Sequence, residues 1–317
     1  MIPFPRWPVD RTTEQLLERL LVLAMRTEGL DRIPFVWFWP DGAGSCAMMT
    51  HDVEQVAGRN FCSQLMDIDD SFGIKSSFEL IPERRYAIPK ALLDEIRSRD
   101  FEIDIHDLNH DGNLFSDHKS FLRRAEQINA HGRKWGALGF RSGALYRNQA
   151  WYSALEFSYD MSVPSVAHLD PQRGGCCSVM PFFMGKILEL PLTTIQDYSL
   201  LHILNDYSID IWKQQLREIT GHHGLASFVV HPDYIIERRA RRVYQLLLEH
   251  LAHLRSAQGV WAALPREVDR WWRARNQMVI VPDGRGWRVE GPGRERAPVS
   301  FASVTRDTLT YSVEEKR

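Results

Sequence analysis

Four short segments of this sequence carry side chains able to hold a cation or move a proton. IHDLNHDG places His106 and His110 four residues apart. On a helical turn that spacing puts both imidazoles on one face, within reach of one divalent ion. THDVE adds Asp52 and Glu54, which alternate on an extended or tightly turning backbone, and either completes a set of two histidines and a carboxylate. Three protein ligands leave coordination positions open for water and substrate, as a catalytic ion requires. HxxxH alone arises by chance in many helices. Here the strand-like FEIDI precedes it, Gly112 ends the turn, and the THDVE carboxylates stand ready to join it. Asp52 as a simple cap of the following turn is the bland alternative, and His51 reads as a structural core histidine. Arg141 in FRSG and His231 in VVHPD complete the group, with Pro232 biasing His231 toward an extended conformation.

Side chains this far apart in sequence need a scaffold that aims them at one point. From residue 45 onward short apolar runs alternate with helical stretches, the pattern of an α/β domain. Strands are expected over 46–50, 77–81, 101–105, 137–140, 186–190 and 226–230, and helices over 60–71, 89–99, 117–130, 209–219 and 234–255. His51 and Asp52, then His106, then Arg141, then His231 each follow one of these strands. The C-terminal strand ends of an α/β fold carry the site because loops there converge without disturbing the core.

Length and composition bound the rest. A chain of 317 residues accommodates one large domain with smaller additions. The expected division is an N-terminal extension over 1–44 that packs on the main domain, an α/β domain over 45–260, and a small β-rich appendage over 261–317, whose short alternating runs are split by Pro282-Asp283-Gly284 and Gly291-Pro292-Gly293. Lys and Arg number 39 against 41 Asp and Glu, giving a net charge of -2 and no global field to hold nucleic acid. The basic run Arg238, Arg239, Arg241 and Arg242 reads as the solvated face of a helix. No apolar run approaches the roughly 20 residues of a membrane helix. Four cysteines, two of them adjacent, suit reduced thiols, so a cytoplasmic setting is expected.

The series THDVE, HDLNH, FRSGALYRN and VVHPD, over residues 45–235, resembles the ordered motifs of the polysaccharide deacetylase family. Its relatives include chitooligosaccharide and peptidoglycan deacetylases and some cyclic-amide hydrolases. The resemblance implies a distorted (β/α) barrel, often seven-stranded, and a divalent metal that assists removal of an acetyl group from an N-acetylated sugar or glycan. It makes Asp52 the general base, His106 and His110 the metal histidines, Arg141 the brace of the base and His231 the general acid. The family's paired aspartates are here Asp52 followed by Val53, so the third ligand is Glu54 or Asp52 itself. Ser142 and Gly143 stand where a proline-containing loop is usual. Asp160 matches the acidic residue that orients the arginine or the acid histidine, with Asp170 competing for the role. Asp197 and Tyr198 follow a strand exit where substrate hydroxyls could be read. Zinc suits two imidazoles and a carboxylate, and manganese, cobalt or iron tolerate the same set. A non-sugar amide hydrolase and a catalytically silent carbohydrate-binding barrel are the alternative functions.

Overall fold

Why the strands read as continuous apolar runs is evident from their surroundings: Ser45–Val53 is buried at every residue, as expected of a strand covered on both faces. The computed structural model describes residues 4–284, 286–306 and 308–314. Seven parallel strands curl around a common axis. Ser45–Val53, Ser76–Leu80, Glu102–His106, Gly139–Arg141, Tyr159–Asp160 and Ile187–Glu189 pair in that order, and Leu225–Val229 pairs with the free edge of the first. Between the sixth and seventh strands, Thr193 and Thr194 complete the curl through their hydroxyls, which donate to the Leu225 and Ser227 carbonyls at 2.6 and 2.7 Å. This is the distorted (β/α) barrel anticipated above. The two-residue strand Tyr159–Asp160 had no periodicity to reveal it.

Side-chain parity divides the barrel. Met49, Val53, Phe78, Leu80, Ile103, Ile105 and Phe140 face the helices in the main core. Asp52, Glu79, Asp104 and Arg141, one residue out of phase with these, form a polar layer inside. The surrounding helices bury one stripe each: Leu92, Leu93 and Ile96 in Lys90–Ser98, and Val243, Leu247, Leu251 and Leu254 in Arg238–Gln258. Arg238, Arg239 and Arg242 of the basic run are exposed.

The two ends of the chain meet. Arg32–Val36 pairs antiparallel with Val299–Thr305, which pairs with Thr308–Val313, while Val279–Asp283 and Gly286–Glu290 form a hairpin. Val260–Ala262 joins the barrel sheet at residues 45–47 of its first strand. Trp39, Val268, Trp271 and Met278 from these terminal segments pack with Cys46, Tyr159, Leu188 and Leu225. Cys46 and Leu225 lie at the N-terminal starts of their strands. The terminal segments thus cover the barrel floor and leave the C-terminal strand ends to the loops.

Candidate metal centre

The first strand ends at Val53, so Glu54 leaves it as the chain turns toward the helix Val56–Ser71. His106 is the last residue of the third strand. The expected helical turn between His106 and His110 does not form: Asp107 and His110 have φ of 56° and 53°, left-handed values that preclude a continuous helix. An irregular loop brings the two imidazoles together instead, with ring centroids 4.8 Å apart. Gly143 makes room for it. A Cβ at that position would lie 2.6 Å from Asp107 Oδ2 and 3.0 Å from His110 Cδ2. The departure from the proline-containing loop therefore has a steric reason in this chain.

Glu54, His106 and His110 each offer one ligand atom, and the three atoms lie within 4.8 Å of one another. Glu54 Oε1 is 3.0 Å from His110 Nε2 and 3.9 Å from His106 Nε2. Both Nε2 atoms are buried; His106 Nε2 has no hydrogen-bond partner among the described residues, and His110 Nε2 meets only the Glu54 carboxylate. Leaving the His106 nitrogen unmatched costs on the order of 1–3 kcal/mol, and a cation removes the cost. Two ligand atoms about 2.1 Å from a tetrahedral zinc stand roughly 3.4 Å apart, so the observed separations bracket what the ion needs. His106 Nδ1 lies 3.2 Å from the Arg141 carbonyl, an acceptor that fixes the tautomer with Nε2 free to coordinate. The residues present fit a divalent ion.

Asp52 stands beside this cluster, and its role as base or as a metal ligand is the proposal developed below. Its Oδ1 accepts from Arg141 Nη1 at 2.7 Å, while Oδ2 stands 3.7 Å from His106 Nε2. Arg141 is buried and also donates to Thr50 Oγ1 at 2.8 Å and to the Met161 carbonyl at 3.0 Å. Burial disfavours the Asp52 carboxylate, but Arg141 and the nearby histidines outweigh it and hold the group below its usual range. Burial likewise opposes an ionised Glu54, and His106, His110 and His231 overcome it. Glu79, in register with Asp52 on the next strand, lies 3.7 Å from the same guanidinium. Burial pushes it up to about 8; Arg141 opposes this, and the charges of Asp52 and Asp104 add to it.

His231 Nε2 faces Glu54 Oε1 at 3.6 Å. Its partner is Asp197, not Asp160. Asp197 Oδ1 is 2.6 Å from His231 Nδ1, and Oδ2 accepts the His231 N–H at 2.7 Å. Burial disfavours the imidazolium, yet Asp197 and then Glu54 raise His231 well above the ordinary histidine value. Asp160 pairs in register with Phe140, so it shares the helix-facing side of the sheet rather than the side of Arg141. There it accepts from the Ser162 N–H and hydroxyl at 3.0 and 2.7 Å. The alternative, Asp170, is bound by Gln196 at 2.6 Å. Asp197, expected to read substrate hydroxyls, is buried beneath His231, whereas Tyr198 is exposed. Nothing in QDY marked Asp197 for this role, since its pairing spans 34 residues. His51 is structural as expected, with Nδ1 2.9 Å from the Val230 carbonyl and Nε2 3.1 Å from Asp69.

No protein-family model matches the sequence, and no curated protein matches it. Solved structures do. A Mycobacterium smegmatis protein assigned as a polysaccharide deacetylase superposes with a TM-score of 0.59 at 16% identity, over 75% of this chain and 93% of that one. The Puue allantoinase superposes with a TM-score of 0.56 at 13% identity, over 74% of this chain and 92% of its own. At such identity the likeness speaks for architecture. The chain has the distorted (β/α) barrel fold of the polysaccharide deacetylases.

Proposed function

We propose that this chain is a metal-dependent amide hydrolase that removes an N-acetyl group from a sugar or glycan. The observation that carries the reading is the convergence of three groups at the strand ends. A ligand set with two buried imidazole nitrogens, a carboxylate braced by a buried arginine, and a histidine braced by a buried carboxylate face one another across less than 4 Å at each step. Glu54, His106 and His110 would hold the ion. Bound there, a divalent metal polarises an amide carbonyl and acidifies water, with zinc the first choice for this donor set and manganese, cobalt or iron compatible with it.

The remaining groups divide the proton work. Asp52, kept ionised by Arg141, takes the proton from the attacking water. Arg141 reaches Asp52 through one fixed hydrogen bond, leaving Oδ2 turned toward the ligand cluster to receive that proton. His231, held as imidazolium by Asp197, gives a proton to the leaving nitrogen through Nε2. Such general acid help contributes about 10²–10⁴ in rate, because an amine departs poorly without a proton.

Metal analysis of the purified protein, followed by acetate release from N-acetylated oligosaccharides, tests the reading. One bound ion and metal-dependent acetate release are expected; a metal-free, inactive barrel would support the silent carbohydrate-binding alternative. A second reading, hydrolysis of a non-sugar amide, is favoured by one observation: the allantoinase superposes nearly as well as the deacetylase. Parallel assays on cyclic amides and on N-acetylated sugars separate the two.

A further inference from the structure

The peptide bond that introduces Glu54 is gripped at both ends by side chains from other loops. Its carbonyl, that of Val53, accepts the Tyr86 hydroxyl at 2.5 Å. That hydroxyl in turn accepts the Ile81 N–H at 3.1 Å, so the ring is anchored to the end of the second strand. At the other end the Glu54 N–H donates to Asp233 Oδ2 at 3.1 Å. The same carboxylate accepts from Gln55 N at 3.2 Å and from Gly58 N at 2.7 Å. The helix Val56–Ser71 starts at Gln55, whose own side chain makes no capping hydrogen bond. Asp233 supplies that cap from 175 residues away, meeting orphan N–H groups and the positive end of the helix dipole.

Two further features show that the arrangement is built around this carboxylate. A Cβ at residue 58 would collide with the Asp233 carboxyl group, so glycine there is what lets the acid approach. Asp233 also stands two residues after His231, on the short helix Pro232–Ile235 that begins as the seventh strand ends. The loop carrying the proposed acid and the turn carrying the proposed ligand are therefore joined by one carboxylate.

We propose that Tyr86 and Asp233 are positioning residues that clamp the Val53–Glu54 peptide and thereby aim the Glu54 carboxylate at the metal. The proposal rests on the metal reading given above. Outer partners that orient a ligand typically contribute about 10- to 100-fold in metal affinity. Here the held group is backbone rather than the carboxylate itself, which places the expected effect near the lower figure.

The test is a zinc titration of the metal-free protein against a competing chelator, for wild type, Tyr86→Phe and Asp233→Asn, with melting temperatures of the metal-free forms measured alongside. Each variant should bind zinc about tenfold more weakly than wild type. Lower melting temperatures with unchanged zinc affinity would make both residues merely structural and overturn the clamp while leaving the metal reading intact. A wild-type protein that binds no zinc would overturn both. Tyr86→Phe removes a single hydroxyl from a packed ring and carries the test alone if Asp233→Asn does not fold.

Discussion

Replacing Asp197 by Asn probes the acid half of the proposed chemistry with little change in shape. Asp197 Oδ1 lies 2.6 Å from His231 Nδ1 with both side chains buried, so the bond is shielded from water and charge-assisted. Hydrogen bonds to charged groups contribute about 1.5–3 kcal/mol, and 1.4 kcal/mol is roughly one pH unit in a protonation equilibrium. His231 is raised because Asp197 and Glu54 overcome its burial. Once a cation engages Glu54, that carboxylate's pull on the imidazolium is spent, and Asp197 is left as the principal support. An amide at 197 should therefore move the alkaline limb of the kcat/KM profile about one to two pH units toward acid. The direction follows from the role: the acid works protonated, and a lower value strips the proton at lower pH. At pH values above the wild-type alkaline limb, turnover of an N-acetylated sugar should fall about 10- to 100-fold, whereas an activated ester, whose leaving group departs without a proton, should lose far less. Profiles recorded on both substrates at saturating zinc provide the assay. An equal loss on amide and ester, or an unmoved alkaline limb, would refute the assignment of His231 as the acid and of Asp197 as its support.

Other outcomes follow from the same geometry. His106→Ala and His110→Ala should each abolish stoichiometric metal and nearly all hydrolysis while circular dichroism stays native, since a core this large does not need the ion; full metal content in either variant would remove that residue from the ligand set. Asp52→Asn should retain metal and lose turnover, and Glu54→Gln should weaken metal binding; a titration giving the reverse would exchange their roles. Glu79, pushed up to about 8 from 4.5, keeps a proton in the folded state that the unfolded chain releases. Its contribution to stability is therefore favourable below about pH 4.5 and is lost as pH rises through about 8. Glu79→Gln removes that slope, so its melting temperature relative to wild type should climb between pH 5 and 9; a constant offset would show that Glu79 ionises normally.

Much of this organisation is local and was therefore legible in the chain itself. Runs such as CAMMT and ASFVV are apolar at consecutive positions because both faces of a parallel strand are covered, and that pattern needs no tertiary knowledge to read. The placement of His106, Arg141 and His231 just at or beyond strand ends follows from the same pattern, whereas the sequence offered Glu54 and Asp52 equally as the carboxylate beside the two histidines. Spacing alone misjudged the conformation joining His106 to His110, because left-handed φ at Asp107 and His110 depends on the space vacated by Gly143 across the barrel mouth.

Which carboxylate serves which partner was decided only in three dimensions. Asp160 and Asp197 are both aspartates near strand ends, but a single step of side-chain parity turns Asp160 to the helix side of the sheet, while the curl of the barrel carries Asp197 under His231. The Asp233 cap on the helix Val56–Ser71 and the pairing of Arg32–Val36 with Val299–Thr305 likewise join segments far apart in sequence. Periodicity reports which face of an element is buried. It carries no record of what that face meets, because the meeting is set by barrel closure and strand register, which arise only when the whole sheet forms.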